Sequence, residues 1–188
     1  MKKKIVLYIL SCFCLFTSCD VETNEEPGGT SIEKMAGTWT VTFEQSVDEY
    51  NSIANGTANP NLESMTADQL DKLDWEDFYG VGKTTIMTSN TASNTDNEMW
   101  FIDKNFWGTQ VRCDVKYNER TFTCEDQEAY EGCIVNIIGG KILEGAATTP
   151  RGMAADSIVA YIKYSDNTDG FTYMKMSGYR YTGFSEDK

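Results

Sequence analysis

The side chains with which this chain could do chemistry are carboxylates, tyrosines, lysines and cysteines, because it contains no histidine. Ser-His-Asp and Cys-His nucleophile pairs are thereby excluded, as is every zinc site with an imidazole ligand. A general base would have to be a carboxylate, a lysine or a tyrosine. Two acidic runs, Asp74-Trp75-Glu76-Asp77 and Glu125-Asp126-Gln127-Glu128, read as solvated loop charge. Within strand-like sequence, only Glu98 (sharing a face with Trp100) and Asp103 (with Phe101) are acids flanked by aromatics. Glycoside hydrolysis needs two carboxyls about 5–9.5 Å apart across a cleft, and nothing in the spacing brings such a pair together. No catalytic residue is assigned, and a histidine-free hydrolase working through carboxylates is retained only as an alternative. Gly80-Val81-Gly82-Lys83-Thr84-Thr85 imitates the end of a phosphate-binding loop, but Asp77 stands where the first glycine is required. The β-branched Thr84, Thr85 and Ile86 then follow where a helix should begin. Nucleotide binding is not expected. Asp166-Asn167-Thr168-Asp169-Gly170 has the acidity of a calcium loop without its alternating donors or closing glutamate, so it reads as a hairpin turn. Neither a metal nor a cofactor is expected.

The elements that must position these residues are strands. Trp39, Val41 and Phe43 share one face of a period-two run whose other face carries Thr38, Thr40 and Thr42. Similar runs recur at 83–89, 98–103, 109–117, 120–125, 132–138, 141–146, 156–164 and 171–182. Turn signals separate them, including Gly139-Gly140, a strong two-residue hairpin cue. Eight or nine strands in hairpin order predict an all-β, antiparallel up-and-down barrel of about eight strands, since closure leaves no exposed edge. The candidate lining, taken from one face of each strand, is Val41, Phe43, Ile86, Trp100, Ile102, Val111, Val115, Ile158, Ile162, Met174 and Met176. A one-residue slip would exchange that set for the opposite face. Between the first two strands lies one long connection, 46–82. Residues 51–64 look flexible there, and a capping-box pattern at Thr66-Ala67-Asp68-Gln69 starts a short helix anchored by Leu70, Leu73, Trp75 and Phe78. The segment is expected to act as a lid. If Asn118-Glu119 is a two-residue hairpin loop, Cys113 and Cys124 face each other at a separation of about 5.5 Å, which suits a disulfide; Cys133 remains a small buried residue.

The chain of 188 residues carries a formal charge of −13, and becomes more acidic once its leader is removed. Such a charge repels polyphosphate, so nucleic acid is not an expected partner. Residues 1–18 hold three lysines, an apolar run from Ile5 to Phe16 and small residues before Cys19. This resembles a bacterial lipoprotein signal with Cys19 as the acylated residue, too short to span a membrane. Acylation supplies at least two hydrocarbon chains, enough for stable attachment, so the membrane is engaged through the anchor alone. Residues 19–33 are expected to form an acidic, solvated tether, and 34–188 a single barrel domain. Asp20, Glu22, Glu25 and Glu26 resemble the surface-export signals of Bacteroidota lipoproteins, which implies an outer-membrane protein, displayed at the cell surface or else facing the periplasm.

Ala36-Gly37-Thr38-Trp39 on the first strand resembles the Gly-x-Trp opening of lipocalins and other calycins, folds that also place their largest loop between strands one and two. Three longer stretches, GKTTIMTSNTASNTDNEMWFIDKNFW (82–107), GKILEGAATTPRGMAADSIVAYIKYSD (140–166) and SGYRYTGFSEDK (177–188), resemble a Bacteroidota lipoprotein family described as lipid-binding putative hydrolases. The resemblance implies a lipocalin-like barrel holding a small apolar or amphipathic ligand. It brings no catalytic residues, so hydrolysis is not assigned. It also implies that Trp39 closes one end of the barrel with an arginine packed across its ring, and Arg180 is the arginine of the final strand. Asp156-Ser157-Ile158 resembles an O-glycosylation acceptor of Bacteroidota, and equally begins a strand. A surface module that captures glycan or a partner protein, through aromatics such as Trp75, Trp107 and Tyr130, is the alternative reading.

Overall fold

Strand alternation is clearest in QVRCDVK, where Val111, Cys113 and Val115 are buried and the residues between them are exposed. The computed structural model describes residues 29–184 and is built from such ribbons. The leader 1–18, Cys19 and the first part of the tether lie outside the described residues. Nine strands follow one another: β1 (Gly37–Ser46), β2 (Trp75–Glu76), β3 (Thr84–Asn90), β4 (Glu98–Asp103), β5 (Gln110–Lys116), β6 (Thr121–Tyr130), β7 (Cys133–Thr148), β8 (Ala154–Tyr164) and β9 (Met174–Arg180). Each strand from β3 to β8 pairs antiparallel with the next. β1 pairs with β3 on one side and with β9 on the other, from Trp39↔Arg180 to Gln45↔Met174, closing an eight-strand barrel to which β2 adds a short outer ribbon. A barrel of eight strands is just wide enough to be filled by side chains, and this one is: Trp39, Val41, Phe43, Ile86, Met99, Phe101, Ile137, Ile162, Met174 and Met176 are all buried in one cluster.

Several sequence expectations are corrected. Gly139-Gly140 is no hairpin. β7 runs straight through it as one 16-residue strand, its register with β8 shifting between Ile138 and Lys141. Gly139 adopts φ 60°, and a Cβ there would collide with Ala67, while one on Gly140 would meet Phe122. The pair exists for close approach on both faces, not for a turn. In β4 the facing is reversed: Met99, Phe101 and Asp103 point inward, whereas Trp100 and Ile102 lie on the outer wall. The run EMWFID is apolar on both faces, so patterning could not choose, and Asp103 on the inward face is buried because it is satisfied. Asp103 accepts from the backbone N–H groups of Asn105, Phe106 and Trp107 at 2.8–3.0 Å. Residues ahead of 34 also pack on the barrel, for Ser31 N donates to Asn94 Oδ1 at 3.1 Å and Ile32 is fully buried.

The long connection divides in two. Helix α1 (Val47–Asn55), whose second half belongs to the stretch 51–64 expected to be flexible, is capped by Ser46, whose side chain accepts from Glu49 N, and ended by Gly56 at φ 62°. Beyond it, α2 (Ala67–Leu70) and its flanks strap the outer wall rather than cover an opening. Leu62 and Leu70 pack on Tyr161 and Tyr173 with Leu73, Trp75 and Ile138 around them. Lys141 and Tyr161 both bond Asp71, at 2.7 and 2.5 Å. Burial pushes the Asp71 carboxyl up, but those two donors outweigh it and hold it below the ordinary aspartate value.

Candidate ligand site at the barrel mouth

The two ends of the barrel differ in construction. At one end Trp39 is fully buried, with its indole N–H donating to Thr88 Oγ1 at 2.9 Å, while Ile32 and Met35 plug the interior. The Arg180 guanidinium carbon lies 4.4 Å from the Trp39 ring centroid. Its nitrogens donate to Ala36 O, to Lys34 O at 2.7 Å and to Asp156 Oδ2 at 3.1 Å. A planar cation with five donors suits a position where a ring face and several oxygens converge. Asp156 also accepts from Gly145 N, so it is a fixed corner of this end.

The opposite end, where β1, β4, β6 and β8 finish, is covered by loop aromatics. Phe106, from the β4–β5 turn, stacks on buried Phe43 at 4.2 Å between ring centroids. Tyr79 touches Phe106 and Phe171, Phe171 meets Phe78, and Phe78 stacks on Tyr50 of α1 at 3.8 Å. Trp107 stacks on Tyr164 at 4.6 Å. Polar side chains tie this cover to the barrel, and Tyr79 OH donates to Asp169 Oδ2 at 2.9 Å. Asp103 fixes the turn that carries Phe106 and Trp107, as described above. Gln45 Oε1 accepts from Phe78 N and Tyr79 N. Glu49, fully buried on α1, accepts from Thr172 N and Thr172 Oγ1, joining α1 to the β8–β9 loop. Burial raises the Glu49 carboxyl above its ordinary value against the pull of Thr172, and no cation bonds it among the described residues. Each buried mouth carboxylate is thus occupied by loop donors, an arrangement suited to holding a cover in place.

Of the lining set, Val41, Phe43, Ile86, Val111, Val115, Ile158, Ile162, Met174 and Met176 face the interior and Trp100 and Ile102 do not. The loop aromatics Phe106 and Tyr79 went unassigned, because strand periodicity says nothing about loop side chains; Phe171, expected to open the last strand, lies before it, and Phe78, expected to anchor the short helix, stacks in the mouth instead. The signal available for α1 was Ser46-Val47-Asp48-Glu49, itself a capping-box pattern. The surface aromatics are engaged within the chain: Trp75 donates to Leu70 O, and Trp107 Nε1 and Tyr130 OH both donate to Asp166. Those donors, Tyr130 first, hold the Asp166 carboxyl below its usual range. Cys113 and Cys124 stand one step beyond the last ladder pair of β5 and β6, Asp114↔Thr123, and face each other as the hairpin spacing predicts. They are free thiols, not a disulfide. The bond to Cys124, then burial, pushes the Cys113 thiol well up. Cys133 is also free and donates to Asp166 at 3.2 Å.

Among the described residues no helix is long and apolar enough to cross a membrane, which says nothing of strands. No curated protein matches the chain. One family model does, over residues 24–185, and with a closed lipocalin-like barrel beneath it the chain belongs to the family described as "lipid-binding putative hydrolase".

Proposed function

We propose that this protein is a lipoprotein, anchored to the outer membrane through Cys19, that takes the apolar part of an amphipathic, lipid-like molecule at the barrel mouth. The observation that carries the reading is the asymmetry of the ends. Arg180 ties the Trp39 end into backbone carbonyls, whereas the mouth is shut by a chain of stacked aromatics carried on loops, which side chains including Gln45, Glu49, Asp103 and Asp169 hold in place. Stacked rings on loops open at modest cost, and sites of exchange belong to the low-stability part of a domain. Phe106 sits on Phe43 where an acyl chain would lie, so entry displaces Phe106. Met174 and Met176 below are unbranched and adaptable, which suits a pocket that fills with side chains when no ligand is held. The family's lipid-binding description agrees with this use. The chain joins the barrel at the Trp39 end, so an anchor at Cys19 would turn that end to the bilayer and the mouth away from it. Native mass spectrometry of the protein purified from its own membrane tests the reading. A co-purifying lipid in stoichiometric amount is the expected result, and repeated recovery of bare protein would refute it.

A further inference from the structure

Three of the four tryptophans are fully employed. Trp39, Trp75 and Trp107 each donate their indole N–H and each stack against a ring or a cation. Trp100 differs. It stands on the outer wall of β4, and among the described residues nothing accepts from its indole N–H and no ring or cation covers its face. A large aromatic with an unused donor on the outside of a barrel is suited to contact with another molecule.

The surroundings of Trp100 are polar and concave. It lines an open depression of about 360 Å³ with Glu98, Arg112, Gln127 and the β3–β4 loop residues Thr91 and Ser93. Arg112 is the direct cross-strand partner of Trp100. Its side chain is 57% exposed and meets Glu98 Oε2 at 3.6 Å, which leaves most of its five donors open. Glu98 is held from behind, because Thr91 Oγ1 and Ser93 Oγ both donate to its Oε1. Its second oxygen is left on the Arg112 side. The depression is thus lined by an indole, a guanidinium, an oriented carboxylate and a primary amide side by side.

We propose that this depression is a binding site for a neutral pyranose ring of a glycan, separate from the lipid site at the mouth. A pyranose presents a face of C–H bonds whose weakly positive hydrogens complement the negative face of an indole. Its edge carries adjacent hydroxyls, each donor and acceptor, which match Arg112 as donor, Glu98 as acceptor and Gln127 as both. The balanced Glu98–Arg112 pair and the acidic protein around it disfavour an anionic sugar. An aliphatic ligand would leave these polar groups desolvated and unpaired, so the site selects against lipid. The site is shallow and open, which suits a chain end or one residue of a polysaccharide rather than an enclosed small molecule.

The purified protein is screened on an array of neutral and acidic glycans, and the best methyl pyranoside is titrated by 1H–15N NMR while the indole N–H signals are followed. The expected result is binding of at least one neutral glycan, with the Trp100 indole signal moving and the other three staying in place. Trp100→Ala should then weaken binding at least tenfold and Arg112→Ala at least threefold, with the co-purifying lipid of the mouth unchanged in both. Arg112 is exposed, so its variant gives a reading even if Trp100→Ala folds poorly. Absence of any neutral glycan ligand, binding of acidic glycans alone, or binding that survives both substitutions would overturn the proposal. None of these outcomes bears on whether lipid occupies the mouth.

Discussion

Replacing Arg180 by alanine removes one side chain that works in three directions. The ring contact with Trp39, at 4.4 Å and partly shielded, is worth about 0.5–2 kcal/mol. The carbonyls of Ala36 and Lys34 lose their donors, and an acceptor left unpaired costs about 1 kcal/mol or more where water cannot reach it. The pair with Asp156 involves side chains about a quarter exposed, 27% and 25%, so it adds only about 0.2–1 kcal/mol. These contributions share one guanidinium and do not add fully; a loss of about 2–3 kcal/mol is expected. For a domain of this size that lowers the melting temperature by roughly 4–12 °C. Arg180→Lys keeps the charge but loses the plane and most donors, so it should recover less than half. Thermal unfolding followed by circular dichroism reads both variants, and lipid affinity per folded molecule should be unchanged because the substitution lies at the end away from the mouth. A melting temperature within about 1 °C of the parent for Arg180→Ala would refute the closing role.

Other outcomes follow from single contacts. Glu49 has a folded-state pKa above its unfolded one, so its ionisation costs stability as pH rises from the ordinary value of 4.5 through the raised one. Glu49→Gln keeps an acceptor for Thr172 and should melt higher than the parent at neutral pH, the advantage vanishing below pH 4.5; a lower melting temperature at neutral pH would show that the charge is favourable. Leu70→Ala empties a fully buried site beneath the strap and should cost about 2–4 kcal/mol by denaturant unfolding, whereas a near-neutral result would make the strap a loose cover. Thiol titration of the unfolded, unreduced protein should find Cys113, Cys124 and Cys133 all free, with slow alkylation of Cys113 in the folded state; a single free thiol among these three would mean the facing pair had oxidised.

The barrel was legible because closure of a meander, the parity of most strands and the β5–β6 hairpin register all follow from period-two patterning and turn residues. What patterning could not decide was which face of EMWFID goes inside, since both are apolar and the deciding fact is that Asp103 finds three backbone donors. Gly139-Gly140 misled because two glycines signal a turn and a close approach equally well, and only the packing of Ala67 and Phe122 distinguishes them. The mouth was the least legible part. Phe106, Phe171 and Tyr79 lie in loops whose placement depends on long-range contacts with Phe43 and Asp169, and α1 is too polar to announce itself except through its cap. Arg180 and Trp39 were found through a family resemblance rather than through spacing, although their direct pairing across β1 and β9 gives the physical reason for it.

The central claim, that a lipid-like chain lies at the mouth, is tested most directly by photo-crosslinking with a fatty acid that carries a diazirine near its methyl end. Peptide mapping should place the label on residues around Phe43, Phe106, Phe171 and Met174, with competition by unlabelled lipid. Label confined to the outer wall or to the Trp39 end, or undiminished by competitor, would contradict the account.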